Sequence, residues 1–167
     1  MKKKFFIGIL LAVAFFGVAS AAHAVQAHYV LGHSSVDERE IRWNGGTAYR
    51  DQLNASIAMW NGLGRVNIAP DTIATFEDLR IGDTLLPDVA WAGRYTWWPL
   101  LTDTAVFNRS YLLNYNNNKR QNTISHELGH ALGLDHSLIS NLMLEIVTER
   151  IVPGAQDRSD YTFLWGN

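Results

Sequence analysis

The eleven residues from His126 to His136, which read HELGHALGLDH, constrain this chain more than any other part of its sequence. His126 and His130 are four residues apart, so a helix places both imidazoles on one face, one turn apart. Glu127 follows the first histidine and can reach a water at that face without binding an ion itself. Gly133 tolerates a positive φ, which lets the chain leave the helix and turn His136 back toward the other two rings.

This set of side chains predicts a catalytic metal site. Three neutral imidazoles with one open position are typical of catalytic zinc, whereas structural zinc sites use four protein ligands. We therefore expect one zinc ion held by His126, His130 and His136, with Glu127 as general base. The alternative is an amphipathic helix whose histidines are packed or solvated, but it leaves the glycine at the turn without a purpose. The chain has no cysteine, which excludes thiolate metal ligands, disulfides and thiol catalysis.

Residues 1–24 have the layout of a secretory signal peptide. Three lysines precede the uncharged apolar run Phe5–Val18, and small residues follow. Ala22-His23-Ala24 offers the favoured cleavage site, and Ala19-Ser20-Ala21 offers a second one. The expected product is secreted and extracellular, without stable membrane association after cleavage. An uncleaved membrane anchor is the alternative, although the run is short for a membrane span.

The rest of the chain, residues 25–167, is expected to form one domain, since no repeat or linker interrupts it. Apolar residues make up 47% of the whole sequence and charged residues 18%, as in globular proteins. Loss of the three signal lysines leaves 11 basic against 16 acidic residues, a formal charge of about −5. This charge disfavours nucleic acid and anionic membranes as partners. We expect a monomer.

Hydrophobic periodicity predicts an α+β fold. Strands are expected at Glu40–Trp43, Val66–Ile68, Asp88–Ala92 and Thr104–Phe107. Helices are expected at Thr47–Leu63, Lys119–Leu132 and Ser159–Trp165, with Thr47 and Ser159 as the caps of the first and last.

The extended motif resembles that of the metzincin family of zinc endopeptidases. In that family a methionine turn lies beneath the metal, and Met143, seven residues after His136, is similar to that methionine. Ser137 directly after the third histidine is similar to the matrixin subfamily. Astacin-like and serralysin-like enzymes carry a tyrosine ligand where this chain has Glu145, so that ligand is absent. Weaker similarity to matrixins covers Tyr49–Ile68 and the C-terminal helix.

The resemblance implies a fold and a function. The fold would be metzincin- or zincin-like, a twisted, mostly parallel sheet with two long helices, an active-site helix carrying the HExxH residues, and a short C-terminal helix. The domain would be a secreted zinc metalloendopeptidase, a hydrolase acting on protein or peptide substrates. An edge strand would bind substrate through its backbone, at Val89, Ala90, Trp91 and Ala92. Residues just past Met143, within Leu144–Pro153, would wall the pocket beside the cleaved bond.

The chain also departs from animal matrixins. Those enzymes hold a second, structural zinc, but the only other histidines after the signal are His28 and His33, and Trp91 stands where a ligand is expected. We therefore expect one zinc, with His28 and His33 in packing or solvent. Latency through a propeptide cysteine is excluded. Calcium stays open, because the aspartates form no calcium-loop pattern. Two other functions remain: a non-catalytic secreted binding domain stabilised by zinc, and a membrane-tethered processing peptidase.

Overall fold

The computed structural model describes residues 27–166, so the predicted signal peptide and its cleavage site lie outside the described residues. Five strands and four helices follow one another along this part of the chain: β1 Glu40–Gly45, α1 Arg50–Asn61, β2 Asn67–Pro70, β3 Leu79–Thr84, β4 Gly93–Thr96, β5 Asp103–Asn108, α2 Arg109–Leu112, α3 Asn117–Ala131 and α4 Ala155–Trp165. None of the helices within residues 27–166 combines the length and apolar character needed to cross a bilayer.

The strands form a single mixed sheet in the order β2-β1-β3-β5-β4. The first three pairings are parallel, and β4 pairs antiparallel with β5 at one edge. Only residues 97–102 join these two strands, and a parallel crossover needs about a dozen residues or more. The expected twisted, mostly parallel sheet is therefore corrected to a mixed one, and the short β4–β5 connection is the reason.

The strand expected at Asp88–Ala92 is not formed, and the edge strand begins at Gly93 instead. Side chains satisfy the backbone carbonyls of this segment, so it has no need of a neighbouring strand. The Tyr111 hydroxyl donates to the carbonyl oxygen of Val89 at 2.7 Å, and Asn108 Nδ2 donates to that of Trp91 at 3.1 Å. Strand β3 and the short helix α2 were not expected from the sequence.

Thr47 and Ser159 were predicted to cap the first and last helices, but both helices begin at other residues. Helix α1 begins at Arg50 with Tyr49 at its N-cap, so Thr47 lies two residues too early to cap it; Thr47 Oγ1 donates to Asp83 Oδ1 at 2.6 Å and accepts the Tyr49 N–H at 3.2 Å. Helix α4 begins at Ala155, four residues before the predicted start. The Asp157 carboxylate accepts the Gly154 backbone N–H at 2.8 Å and so satisfies the first turn of α4. A carboxylate near this positive helix end is also electrostatically favourable.

The core lies where α1 and α3 pack together against the sheet. Trp60 on α1 is 1% exposed, and its indole N–H donates to the carbonyl oxygen of Ser125 on α3 at 2.9 Å. Leu53 and Trp60 are buried on α1, as are Ile124 and Leu128 on α3. This packing holds α3, which carries His126 and His130, in place against α1.

We expect Trp60→Phe to lower the free energy of unfolding by about 2 kcal/mol, because it removes both buried volume and the hydrogen bond to Ser125. Chemical denaturation monitored by circular dichroism measures this loss. Trp98→Phe is the matched control, since Trp98 is 47% exposed, and its effect should stay within about 0.5 kcal/mol. Equal effects of the two substitutions would contradict the assigned role of Trp60.

Candidate metal centre

Helix α3 carries two of the three histidines and ends where the sequence predicts. The Asn116 side chain caps it by accepting the Lys119 N–H at 3.0 Å. At the other end Gly133 adopts a φ of 91°, a left-handed conformation that side-chain-bearing residues seldom adopt. The Leu134 N–H then bonds back to the Gly129 carbonyl oxygen at 3.0 Å. The reversal brings the following segment, with His136, back over the helix.

The segment of residues 29–31 is hydrogen-bonded to the turn at Gly133. The Leu31 N–H donates to the Gly133 carbonyl oxygen at 2.8 Å, and the Asp135 N–H donates to the Tyr29 carbonyl oxygen at 3.0 Å. These bonds form a short antiparallel ladder around the isolated bridge between Val30 and Leu134. The backbone polar groups of the turn are thereby paired, which fixes its direction.

The three predicted ligands converge. His126, His130 and His136 each offer a ring nitrogen, and these atoms lie within 4.8 Å of one another. Their ring centroids are 4.6, 5.2 and 4.9 Å apart. No further histidine, cysteine or carboxylate within residues 27–166 belongs to this cluster. His126 is buried and His136 is exposed, so the cluster opens toward solvent on one side.

Backbone carbonyls orient the two helical imidazoles. His130 Nδ1 lies 2.8 Å from the Leu134 carbonyl oxygen, and His126 Nδ1 lies 3.2 Å from that of Leu142. A carbonyl oxygen only accepts, so these bonds require the hydrogen on Nδ1 and leave the Nε2 lone pair free for a metal.

The electrostatics of the cluster keep these imidazoles neutral. Burial lowers the pKa of His126 to about 3 and that of His130 to about 4, and the neighbouring histidines act in the same direction. Neutral imidazole is the form that binds metals. The donor set, three neutral nitrogens with oriented rings, fits zinc.

Glu127 lies in a tight space between α3 and the edge strand β4. Its Oε2 accepts the Tyr95 N–H at 2.7 Å, and a Cβ built on Gly93 would lie only 2.7 Å from its Cγ and Oε1. Burial raises the pKa of Glu127 to about 8, against the opposing effects of the Tyr95 N–H and Arg94. A divalent cation at the histidines would act the other way and favour the carboxylate.

Met143 lies beneath the ligand helix, where it is fully buried. A Cβ built on Gly129 would lie 2.3 Å from its sulfur, so only glycine lets the methionine approach α3 this closely. Asp157 of α4 anchors the segment that carries Met143, a role that the sequence did not indicate. Its carboxylate accepts the Leu142 N–H at 2.6 Å and the Ser137 hydroxyl at 2.9 Å.

A cavity of about 600 Å³ lies over the histidines and Glu127. Of the predicted substrate-binding residues, Ala90, Trp91 and Ala92 line it, whereas Val89 does not. Residues 144–147, which follow Met143, also line the cavity, as do two tyrosines, Tyr111 and Tyr115.

Within residues 27–166 the two other histidines, His28 and His33, lie outside the cluster and contact other side chains. His28 Nδ1 is 2.9 Å from Asp160 Oδ1, and its ring stacks on Phe163 at 4.1 Å. The His33 ring stacks on Trp97 at 4.8 Å.

No protein-family model and no curated protein matches this chain. Several solved structures have a similar fold, and one of them is a chain from the "GM1 bound form of the ECX AB5 holotoxin". The two chains superpose with a TM-score of 0.56 at 16% sequence identity, covering 81% of this chain and 88% of that one. At this identity the likeness concerns the fold alone.

The comparison also bears on the predicted fold class. The solved structure is named as a toxin assembly, and the name does not place it among the metzincins. The expected metzincin- or zincin-like fold is therefore corrected to a small α+β fold with a mixed sheet and four helices.

We expect His130→Ala to weaken zinc binding by more than about a hundredfold, because it removes an oriented nitrogen from the cluster. Competition with a chromophoric chelator measures the zinc affinity. His28→Ala is the matched control, since His28 contacts Asp160 on α4, and it should bind zinc like the unmodified chain. Equal zinc affinity in the His130 variant would show that the cluster is not the metal site.

Proposed function

We propose that this chain is a zinc-dependent endopeptidase that hydrolyses peptide bonds with Glu127 as general base. The observation that carries the proposal is the placement of the Glu127 carboxyl beside three converging imidazoles, at the base of a cavity. A structural zinc site is closed by a fourth protein ligand, and the histidine cluster holds three. The resemblance of the HExxHxxGxxH residues to the metzincin motif supports the same activity.

Zinc held by the three histidines would activate a water molecule and polarise the carbonyl group of the bond to be cleaved. Glu127 accepts a proton from this water through Oε1, while the Tyr95 N–H holds Oε2 in place. The water oxygen bonds to the carbonyl carbon, the carbon–nitrogen bond breaks, and Glu127 passes the proton to the departing amine. The hydrogen bond from Tyr95 therefore fixes which carboxylate oxygen does the chemistry.

The cavity suits an extended peptide. Strand β4 is at the edge of the sheet, so its outer backbone groups lie free for a peptide chain, except where the Tyr95 N–H bonds to Glu127. The cavity is also lined by aromatic and aliphatic side chains that can contact one side chain of the peptide: Tyr111, Tyr115, Leu144, Ile146 and Val147. Protein or peptide substrates are thus part of the proposal. Secretion is also part of it and depends on the N-terminal residues alone.

We expect Glu127→Gln to keep zinc bound and to lower kcat by at least about a hundredfold, since the amide accepts the Tyr95 N–H but serves poorly as a base. Hydrolysis of casein and metal analysis of the same sample measure the two effects. Full activity in this variant would contradict the assignment of Glu127 as the general base. A zinc-stabilised binding domain without catalysis predicts no zinc-dependent cleavage by the unmodified chain.

Glu145→Gln is the matched control for that substitution. Glu145 lines the same cavity but is not part of the histidine cluster. Its variant should retain its zinc and most of its activity. Loss of zinc from it would make Glu145 a fourth ligand and would contradict an open coordination position.

We expect Gly93→Ala to reduce kcat by about tenfold or more, because the new methyl group displaces the Glu127 carboxyl from its position. Gly82→Ala is the control: Gly82 also lies in a strand, and a Cβ there meets nothing within 4 Å. Steady-state kinetics on a fluorogenic peptide compare the two variants. A Gly93 variant as active as the Gly82 variant would show that this close contact is unimportant.

A further inference from the structure

A second cavity, of about 880 Å³, lies beyond the far end of β4, and we call it the acidic groove. It runs between the N-terminal segment 34–37 and the loop that joins β4 to β5. Trp97 and Trp98 on this loop remain 42% and 47% exposed, and Leu101 remains 72% exposed. Large apolar side chains exposed together in this way are typical of a binding surface.

The charge of this groove is one-sided. Four of its lining residues are acidic and none is basic: Asp37, Glu77, Asp78 and Asp103. Asp37 is exposed, and within residues 27–166 its carboxylate has no hydrogen bond or ion pair. Glu77 pairs with Arg80, which is itself well exposed at the surface. Asp103 is buried, and its carboxylate accepts hydrogen bonds from the Ser35 and Tyr95 hydroxyls and from the Trp98 N–H. The most exposed carboxylate of the groove is therefore that of Asp37, and no basic residue lines the groove beside it.

Asp78, which lines the groove, has acidic neighbours. Burial raises its pKa, the Arg42 N–H opposes that effect, and the charges of Asp37, Glu40 and Asp71 raise it further. A cation entering the groove would relieve this repulsion. Carboxylates beside exposed tryptophan rings suit a lysine or arginine side chain, which gains an ion pair, a cation–π contact and apolar contact for its stem.

Strand β4 connects the acidic groove with the candidate metal centre. It begins at Gly93 beside Glu127 and leads to Trp97. A row of rings follows the same path: Tyr95 lies 6.5 Å from His130, and His33 lies 6.3 Å from Tyr95 and 4.8 Å from Trp97. Trp97 is four residues after Gly93 along the chain. An extended peptide beside β4 advances by about the same 3.3 Å per residue as the strand itself, so it covers the distance from Gly93 to Trp97 in about four residues.

We propose that the acidic groove binds a lysine or arginine side chain of an extended peptide, and that substrates carry this basic residue about four positions from the cleaved bond. The substrate preference rests on the peptidase function proposed above. The binding of a basic side chain rests only on the groove itself.

The test uses the full chain with Glu127→Gln, loaded with zinc, and fluorescently labelled peptides of equal length. A single arginine is moved through the peptide, and a glutamine peptide serves as reference. We expect one arginine position, on one side of the peptide centre, to bind about fivefold more tightly than the reference. The gain should shrink as the salt concentration rises.

Three further variants locate the effect. Asp37→Asn and Trp98→Ala, each in the Glu127→Gln background, should both reduce the arginine gain. Asp51→Asn should keep it, because Asp51 carries the same charge on the exposed first turn of α1. A gain at no position, or a gain that survives both groove substitutions, overturns the proposal. A third outcome also overturns the proposal: the chain binds neutral lipid vesicles, Trp98→Ala abolishes this binding, and no peptide shows an arginine preference. The groove would then bind a membrane surface.

Cleavage of the same peptides by the unmodified chain separates the two proposals. Zinc-dependent cleavage that is indifferent to the arginine position supports the peptidase and overturns the proposed substrate preference. Arginine-dependent binding without zinc-dependent cleavage supports the groove and overturns the peptidase.

Discussion

The left-handed turn at Gly133 is the constraint on which the candidate metal centre depends. It ends α3 and reverses the chain so that the third imidazole meets the two on the helix. A Cβ there would lie 3.3 Å from Leu164 of α4 and 3.4 Å from the His33 carbonyl oxygen. The N-terminal segment, through residues 33 and 34, and the last helix, through Leu164, thus both pack around Gly133. The turn is therefore a junction of three distant parts of the chain, and its geometry is set by all of them.

A second constraint is the electrostatic balance around the histidines. Burial removes water from His126 and His130, and this keeps the rings uncharged and able to bind a metal. The same dry environment disfavours the charged form of Glu127. A cation bound by the rings would reverse that preference, so the carboxylate and the metal would stabilise each other. Burial keeps the imidazoles neutral, whereas the Glu127 carboxylate would need the bound cation in order to stay charged in the same environment.

The sequence predicted the local parts of this arrangement better than the distant ones. The histidine spacing and the glycine break are short-range patterns, so the helix, the turn and the converging rings followed from them. Asp157 was missed for that role because its partners lie on a different segment, residues 137–143. The edge strand was placed too early, because Val89 to Ala92 form a short apolar run like that of a strand, while Tyr111 and Asn108 bind the carbonyls of Val89 and Trp91. Strand β3 was missed and the sheet was expected to be mostly parallel, since strand pairing depends on contacts across the whole fold.

The buried carboxylate of Asp157 has a consequence for the order in which the molecule matures. It holds Leu142 through the backbone N–H, and the carbonyl oxygen of the same residue orients the His126 ring. The first histidine therefore takes its working orientation only after the start of α4 has docked. During synthesis the ligand helix leaves the ribosome well before Asp157 does, so a nascent chain that already carries every histidine still lacks an ordered centre. A chain interrupted before α4 contains the complete motif but lacks the hydrogen bond through which Asp157 holds Leu142.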